Sequence, residues 1–128
     1  DKITRKLNLP IPKTNNSLSL GDHLLNSGHH GISLSGDDKT ICVAGTMDGY
    51  IAIVDRETFN YSIIKLSDDP KEAKPYWATS SKDGKKAYVS ISGLDKVSIL
   101  DYVTGKVIAE VPVGNHPQRV RNGQLRLR

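Results

Sequence analysis

Few residues in this chain are equipped for chemistry. There are four His, one Cys and one Trp, and aromatic residues make up only 5% of the 128 positions. His29 and His30 are adjacent and His116 lies far downstream. Imidazoles can ligate a transition metal or exchange protons near neutral pH, so these three are the candidate metal or acid–base set. Tyr76 and Trp77 are also adjacent, and Arg119 is a cation that can accompany them. An aromatic pair can stack on a sugar, a planar ligand or a cation, and a guanidinium can hold an anionic group. Cys42 sits in an apolar run with no His beside it, which predicts a buried, inert thiol rather than a nucleophile. Asp37-Asp38 invites a calcium reading, but Asp at a turn ordinarily accepts from backbone amides, and that structural reading is preferred. The same holds for Asp55 with Thr58 and Asp101 with Thr104.

Several function classes drop out at this stage. The sequence has no CxxC or CxxH zinc arrangement, no phosphate-binding glycine loop, no nucleophile elbow, no HExxH helix and no cofactor-attachment motif of an electron-transfer domain. A single Cys excludes an intramolecular disulfide scaffold. The net charge of +4 is spread along the chain except for Arg119, Arg121, Arg126 and Arg128. Without interleaved aromatics these four read as a solvated strand or tail, and nucleic acid is not an expected partner. No apolar run approaches the roughly 20 residues of a membrane helix, and Asp1 to Lys6 lacks the basic-then-apolar order of a signal peptide.

What must position the candidate residues is a repeat. Shifting the chain by 46 residues lays His30–Val43 over Tyr76–Val89 without a gap, then Ile51–Asp55 over Val97–Asp101. Ser35, Asp37, Lys39, Val43, Ile53, Asp55 and Thr58 each recur at the shifted position. The recurrences fall at turns and strand cores, as a structural repeat requires. Each unit reads as four short strands. In the first, these are Ile32 to Leu34, Ile41 to Ala44, Ile51 to Val54 and Tyr61 to Leu66, with turns at Gly36-Asp37-Asp38 and Met47-Asp48-Gly49. The second unit turns at Asp83-Gly84, Ser92-Gly93 and Thr104-Gly105. No window carries a 3.6-residue apolar period, so little helix is expected. The middle strands are apolar on both sides of the pleat, so both sheet faces need covering, and stacked meanders satisfy that need. The expected fold is therefore all-β, built from four-stranded antiparallel meander blades of a β-propeller.

The motifs Ser81-Lys82-Asp83-Gly84, Ala87-Tyr88-Val89-Ser90 and Val97-Ser98-Ile99-Leu100-Asp101 with Thr104-Gly105 resemble the YVTN-type β-propeller repeat. The first unit departs from that pattern, with Asp38 in place of Gly and Cys42 in place of Tyr. The resemblance implies a toroid of about seven blades, commonly exported, hence an extracellular or periplasmic setting, with binding surfaces around a central channel. It also implies that the first strand of each blade is innermost, so that the residues opening successive blades converge on the axis. Those residues are His29, His30, Tyr76, Trp77, His116, Gln118 and Arg119.

The resulting division is 1–27 as the last strand of a preceding blade, ending at Leu9-Pro10-Ile11, plus a polar insertion from Lys13 to Ser27; 28–67 and 74–113 as full blades; and 114–128 as the start of another. At 46 residues per blade, 128 residues are too few to close a ring of even four blades. The expected partners are the remaining blades of a longer chain or further copies of this one, together with a small molecule or protein at the rim. The expected function is non-enzymatic binding at that rim with no cofactor. The alternative is a metal-dependent or lyase-type propeller enzyme in which His29, His30 and His116 hold a transition metal or act as acid and base.

Overall fold

The computed structural model describes residues 2–10 and 28–123. Eight strands form two separate four-stranded antiparallel sheets, each a simple meander in chain order. The first sheet comprises β1 (Ile32–Leu34), β2 (Thr40–Gly45), β3 (Tyr50–Asp55) and β4 (Tyr61–Lys65). The second comprises β5 (Pro75–Ser80), β6 (Lys86–Ile91), β7 (Lys96–Asp101) and β8 (Lys106–Pro112). Both meanders fall where the repeat predicts them.

The turns explain why the repeat is legible. Ser35 Oγ donates to Asp37 Oδ1 at 2.6 Å, Asp37 Oδ1 also accepts from the Lys39 amide at 3.2 Å, and Ser35 Oγ accepts from the Thr40 amide at 2.9 Å. Ser81 and Asp83 make the same bonds to Lys85 and Lys86. The position occupied by Gly84 at φ +67° is held in the first blade by Asp38 at φ +62°. Asp is among the few side chains that adopt the left-handed conformation at modest cost, which accounts for the departure from glycine there.

Alternation along the strands gives each sheet two faces. Cys42, Ala44, Ile51 and Ile53 of the first sheet meet Ala78, Ala87, Val89, Ile91 and Leu100 of the second in one buried cluster. Tyr102 closes this seam, its hydroxyl 2.8 Å from Ser33 Oγ and 2.9 Å from Ser80 Oγ. On the far face of the first sheet, Val43, Tyr50, Ala52 and Val54 carry Leu7 and Leu9 from the N-terminal segment. That segment covers the face only in part: Ile32 is 68% and Leu34 is 38% exposed.

Residues 2–10 form no strand, so Leu9-Pro10 does not end a paired strand here, and Ile11 and the polar stretch from Lys13 to Ser27 lie outside the described residues. One element was not expected. A single helical turn, α1 (Pro70–Ala73), leads from the outer strand β4 back to the inner strand β5. Asp69 caps it by accepting from the Lys71 amide at 2.9 Å, Pro70 opens it, and Lys74 ends it at φ +46°. Asp-Pro before a short polar run is a helix-start signal too brief to show periodicity. No helix among the described residues is long and apolar enough to cross a membrane.

Candidate functional site

The inner strands β1 and β5 lie so close that a Cβ on Gly31 would stand 2.3 Å from the Ala78 backbone nitrogen and 2.6 Å from the Trp77 backbone. Glycine is what permits this approach. It brings His30 face to face with Tyr76, ring centroids 4.2 Å apart and planes 19° from parallel. The two residues occupy equivalent positions in successive blades, so these two openings lie side by side. Burial lowers the pKa of His30, and Nε2 is enclosed without a hydrogen-bond partner among the described residues.

His29 turns to the opposite side of the first sheet. Its Nε2 lies 2.8 Å from the Tyr50 hydroxyl, which itself donates to the Pro10 carbonyl at 2.8 Å. A phenol has one proton to give, so His29 Nε2 is the donor in that pair. Burial lowers the pKa of His29 against the opposing pull of Asp48, and burial raises that of Tyr50 to about 12. This trio pins residues 2–10 to the first blade. Tyr50 stands 40 residues from Pro10, a contact with no local signal in the sequence.

The segment after β8 repeats an arrangement already present between the two blades. Thr46 Oγ1 donates to the Pro75 carbonyl at 2.6 Å, and Ser92 Oγ, its counterpart one repeat later, donates to the Pro117 carbonyl at 2.5 Å. Ser80 Oγ donates to the Leu34 carbonyl at 2.5 Å, and Asn122 Nδ2 donates to the Ser80 carbonyl. Residues 117–123 thus hold towards the second sheet the position that 75–81 hold towards the first. The connection leading to Pro75 is four residues longer than the one leading to Pro117, and α1 is four residues long.

This docking places Arg119 and Arg121 on Trp77. Their guanidinium carbons lie 4.8 and 5.7 Å from the indole ring centre. Ser90 ties strand and segment together, its Oγ accepting from the Trp77 amide at 3.1 Å and donating to the Gln118 carbonyl at 2.5 Å. Gln118 therefore contributes its backbone. His116 does not join the group: it is exposed at φ +52°, and its amide donates to Asp95 Oδ1 at 2.8 Å. Among the described residues no three His, Cys, Asp or Glu side chains gather to hold a metal ion, so the expected set of His29, His30 and His116 is dispersed: one faces Tyr50, one Tyr76 and one a turn.

The remaining candidates are structural. Asp55 Oδ1 accepts from the Thr58 amide at 2.7 Å and from the Thr58 hydroxyl at 2.8 Å, and Asp101 Oδ1 accepts from the Thr104 amide at 2.7 Å. Hydrogen bonds from Thr58 and Thr104 hold these two carboxyls below the ordinary range, as bonds from Ser35 and Ser81 do for Asp37 and Asp83. Cys42 is fully buried, its pKa raised to about 12 by desolvation, so no thiolate is available at neutral pH. Arg121 was missed as a site residue because a terminal Arg reads as solvated; its signal is the two-residue spacing from Arg119 on an extended segment.

An apolar cleft of about 280 Å³ runs between Leu7, Leu9 and the open face of the first sheet at Ile41 and Val43. A depression of about 370 Å³ lined by charged residues lies at the turns of Asp37, Asp55 and Arg56. Neither includes the Trp77 cluster.

No protein-family model matches the chain, and no curated protein matches it. Solved structures do. Hydrazine synthase of Kuenenia stuttgartiensis is 24% identical over 70% of this chain, with a TM-score of 0.60. A streptogramin B lyase is 21% identical over 69% with a TM-score of 0.54, and virginiamycin B lyase from Staphylococcus aureus is 15% identical over 70% with a TM-score of 0.57. The fold is that of β-propeller blades. The chain spans 24, 27 and 29% of the length of those structures, about a quarter of each.

Proposed function

We propose that this chain contributes two blades and the first strand of a third to a YVTN-type propeller, and that the propeller binds a ligand at the rim where its blades open. The observation that carries the reading is the pairing of successive openings, His30 on Tyr76 and Arg119 on Trp77. Side chains from neighbouring blades meet there with aromatic faces and guanidiniums, whereas Asp37, Asp55, Asp83 and Asp101 are consumed by turns. Such a surface grips a planar or polar group without a nucleophile or a metal. The missing blades are supplied by a longer chain or by other copies, and an exported location follows from the repeat type.

The test is a panel of neutral and anionic planar compounds titrated against the emission of Trp77, the single Trp. Saturable binding that is lost in Tyr76→Ala is expected. Binding indifferent to Tyr76→Ala, Trp77→Phe and His30→Ala would move the site elsewhere.

A second reading, a lyase-type enzyme, draws on one observation: His30 Nε2 is enclosed and unpartnered among the described residues, as an acid or base awaiting a substrate would be. Two of the similar structures are lyases. Turnover of a substrate that disappears in His30→Ala and survives in His29→Ala would favour this reading over simple binding.

A further inference from the structure

Arg119 and Arg121 both lie over Trp77, and no carboxylate pairs with either among the described residues. Two guanidiniums on one indole repel each other, and the ring face offsets only part of that cost. Both are exposed, so their donors reach solvent. The backbone beneath them is fixed: Ser90 joins the Trp77 amide to the Gln118 carbonyl, Ser92 holds Pro117, and Asn122 holds the Ser80 carbonyl. The pair is therefore positioned by three anchors and left without a counter-charge.

We propose that Arg119 and Arg121, seated on Trp77, form an oxyanion-binding site, and that the ligand of the rim carries a carboxylate, sulfate or phosphate group. A single oxyanion can accept from both forks, which relieves the repulsion and makes charge-assisted hydrogen bonds that guanidiniums form well. This rests on the rim-binding reading above and narrows it to an anionic ligand.

The experiment titrates the 128-residue chain with sodium sulfate, sodium phosphate and sodium benzoate, following Trp77 emission at an ionic strength held constant with sodium chloride. A saturable response to at least one of the three, weakened about tenfold by Arg119→Ala and by Arg121→Ala, is expected, since one charge-assisted bond is worth about that factor. Arg119→Lys keeps the charge without the fork and should fall between wild type and Arg119→Ala. Which anion binds tightest identifies the headgroup. A response matched by chloride alone, or unchanged in both alanine variants, would overturn the proposal. Rim binding of a neutral planar compound that is equally strong in wild type and Arg119→Ala would overturn it too, while leaving the rim reading intact.

Discussion

Tyr50 illustrates how single side chains hold this structure together. Its hydroxyl bridges His29 and Pro10 from a buried position, so Tyr50→Phe removes two hydrogen bonds and leaves the ring in place. The expected cost is about 1–2 kcal/mol, read from a urea transition, with residues 2–10 becoming the first site of proteolytic cleavage. The two half-buried imidazoles set a pH dependence. Burial lowers the pKa of His29 and of His30, so the unfolded chain takes up protons first as pH falls. Their contribution is complete above the ordinary value of 6.5 and is lost as pH drops below it. Urea midpoints should fall between about pH 7.5 and pH 5.5, and the slope should flatten in a His29→Asn, His30→Asn double variant; equal slopes would mean that neither ring is desolvated. The lowered carboxyls of Asp37, Asp55, Asp83 and Asp101 act in a separate window, below the ordinary carboxylate pKa.

At the level of elements, Gly31 governs how closely the two blades stack. Gly31→Ala would drive a methyl into the backbone of Trp77 and Ala78, and the inner strands would have to separate. A destabilisation of about 2 kcal/mol or more is expected, together with loss of the His30–Tyr76 stack. Thermal unfolding measures the first effect, and the near-ultraviolet dichroism of Tyr76 reports the second. The eight strands were legible because their signals are local: Ser-x-Asp turns at 35–37 and 81–83, and Asp-to-Thr turns at 55–58 and 101–104, recur at a fixed spacing. The equivalence of His30 with Tyr76 followed from the same spacing, whereas that of Trp77 with Arg119 emerges only at a spacing four residues shorter, once the connection lacking α1 is allowed for. Helix α1 escaped because one turn has no period. The dispersal of His29, His30 and His116 was hidden because the destination of each ring depends on partners such as Tyr50 and Asp95, distant in the chain. Legibility ended where contacts became long-range.

On the scale of the whole molecule, the two outward faces are related by the repeat. Ile53 packs into the seam between the blades, and its counterpart Ile99 lies on the opposite side of the second sheet, half-buried. The face of the first sheet is covered by residues 2–10 only in part, leaving Ile32 exposed, and head-to-tail addition of copies would bring it against the Ile99 face. Light scattering should show association that rises with concentration and is suppressed by Ile99→Glu; a monomer at every concentration would contradict this. The proposed function turns on residues 117–123 docking where the first strand of a third blade would lie, over Trp77. The most direct measurement removes residues 115–128 and records the emission of Trp77. With the docked segment and its two guanidiniums gone, the emission should shift to the red and become more sensitive to acrylamide. An unchanged spectrum and unchanged quenching would show that the segment does not dock there.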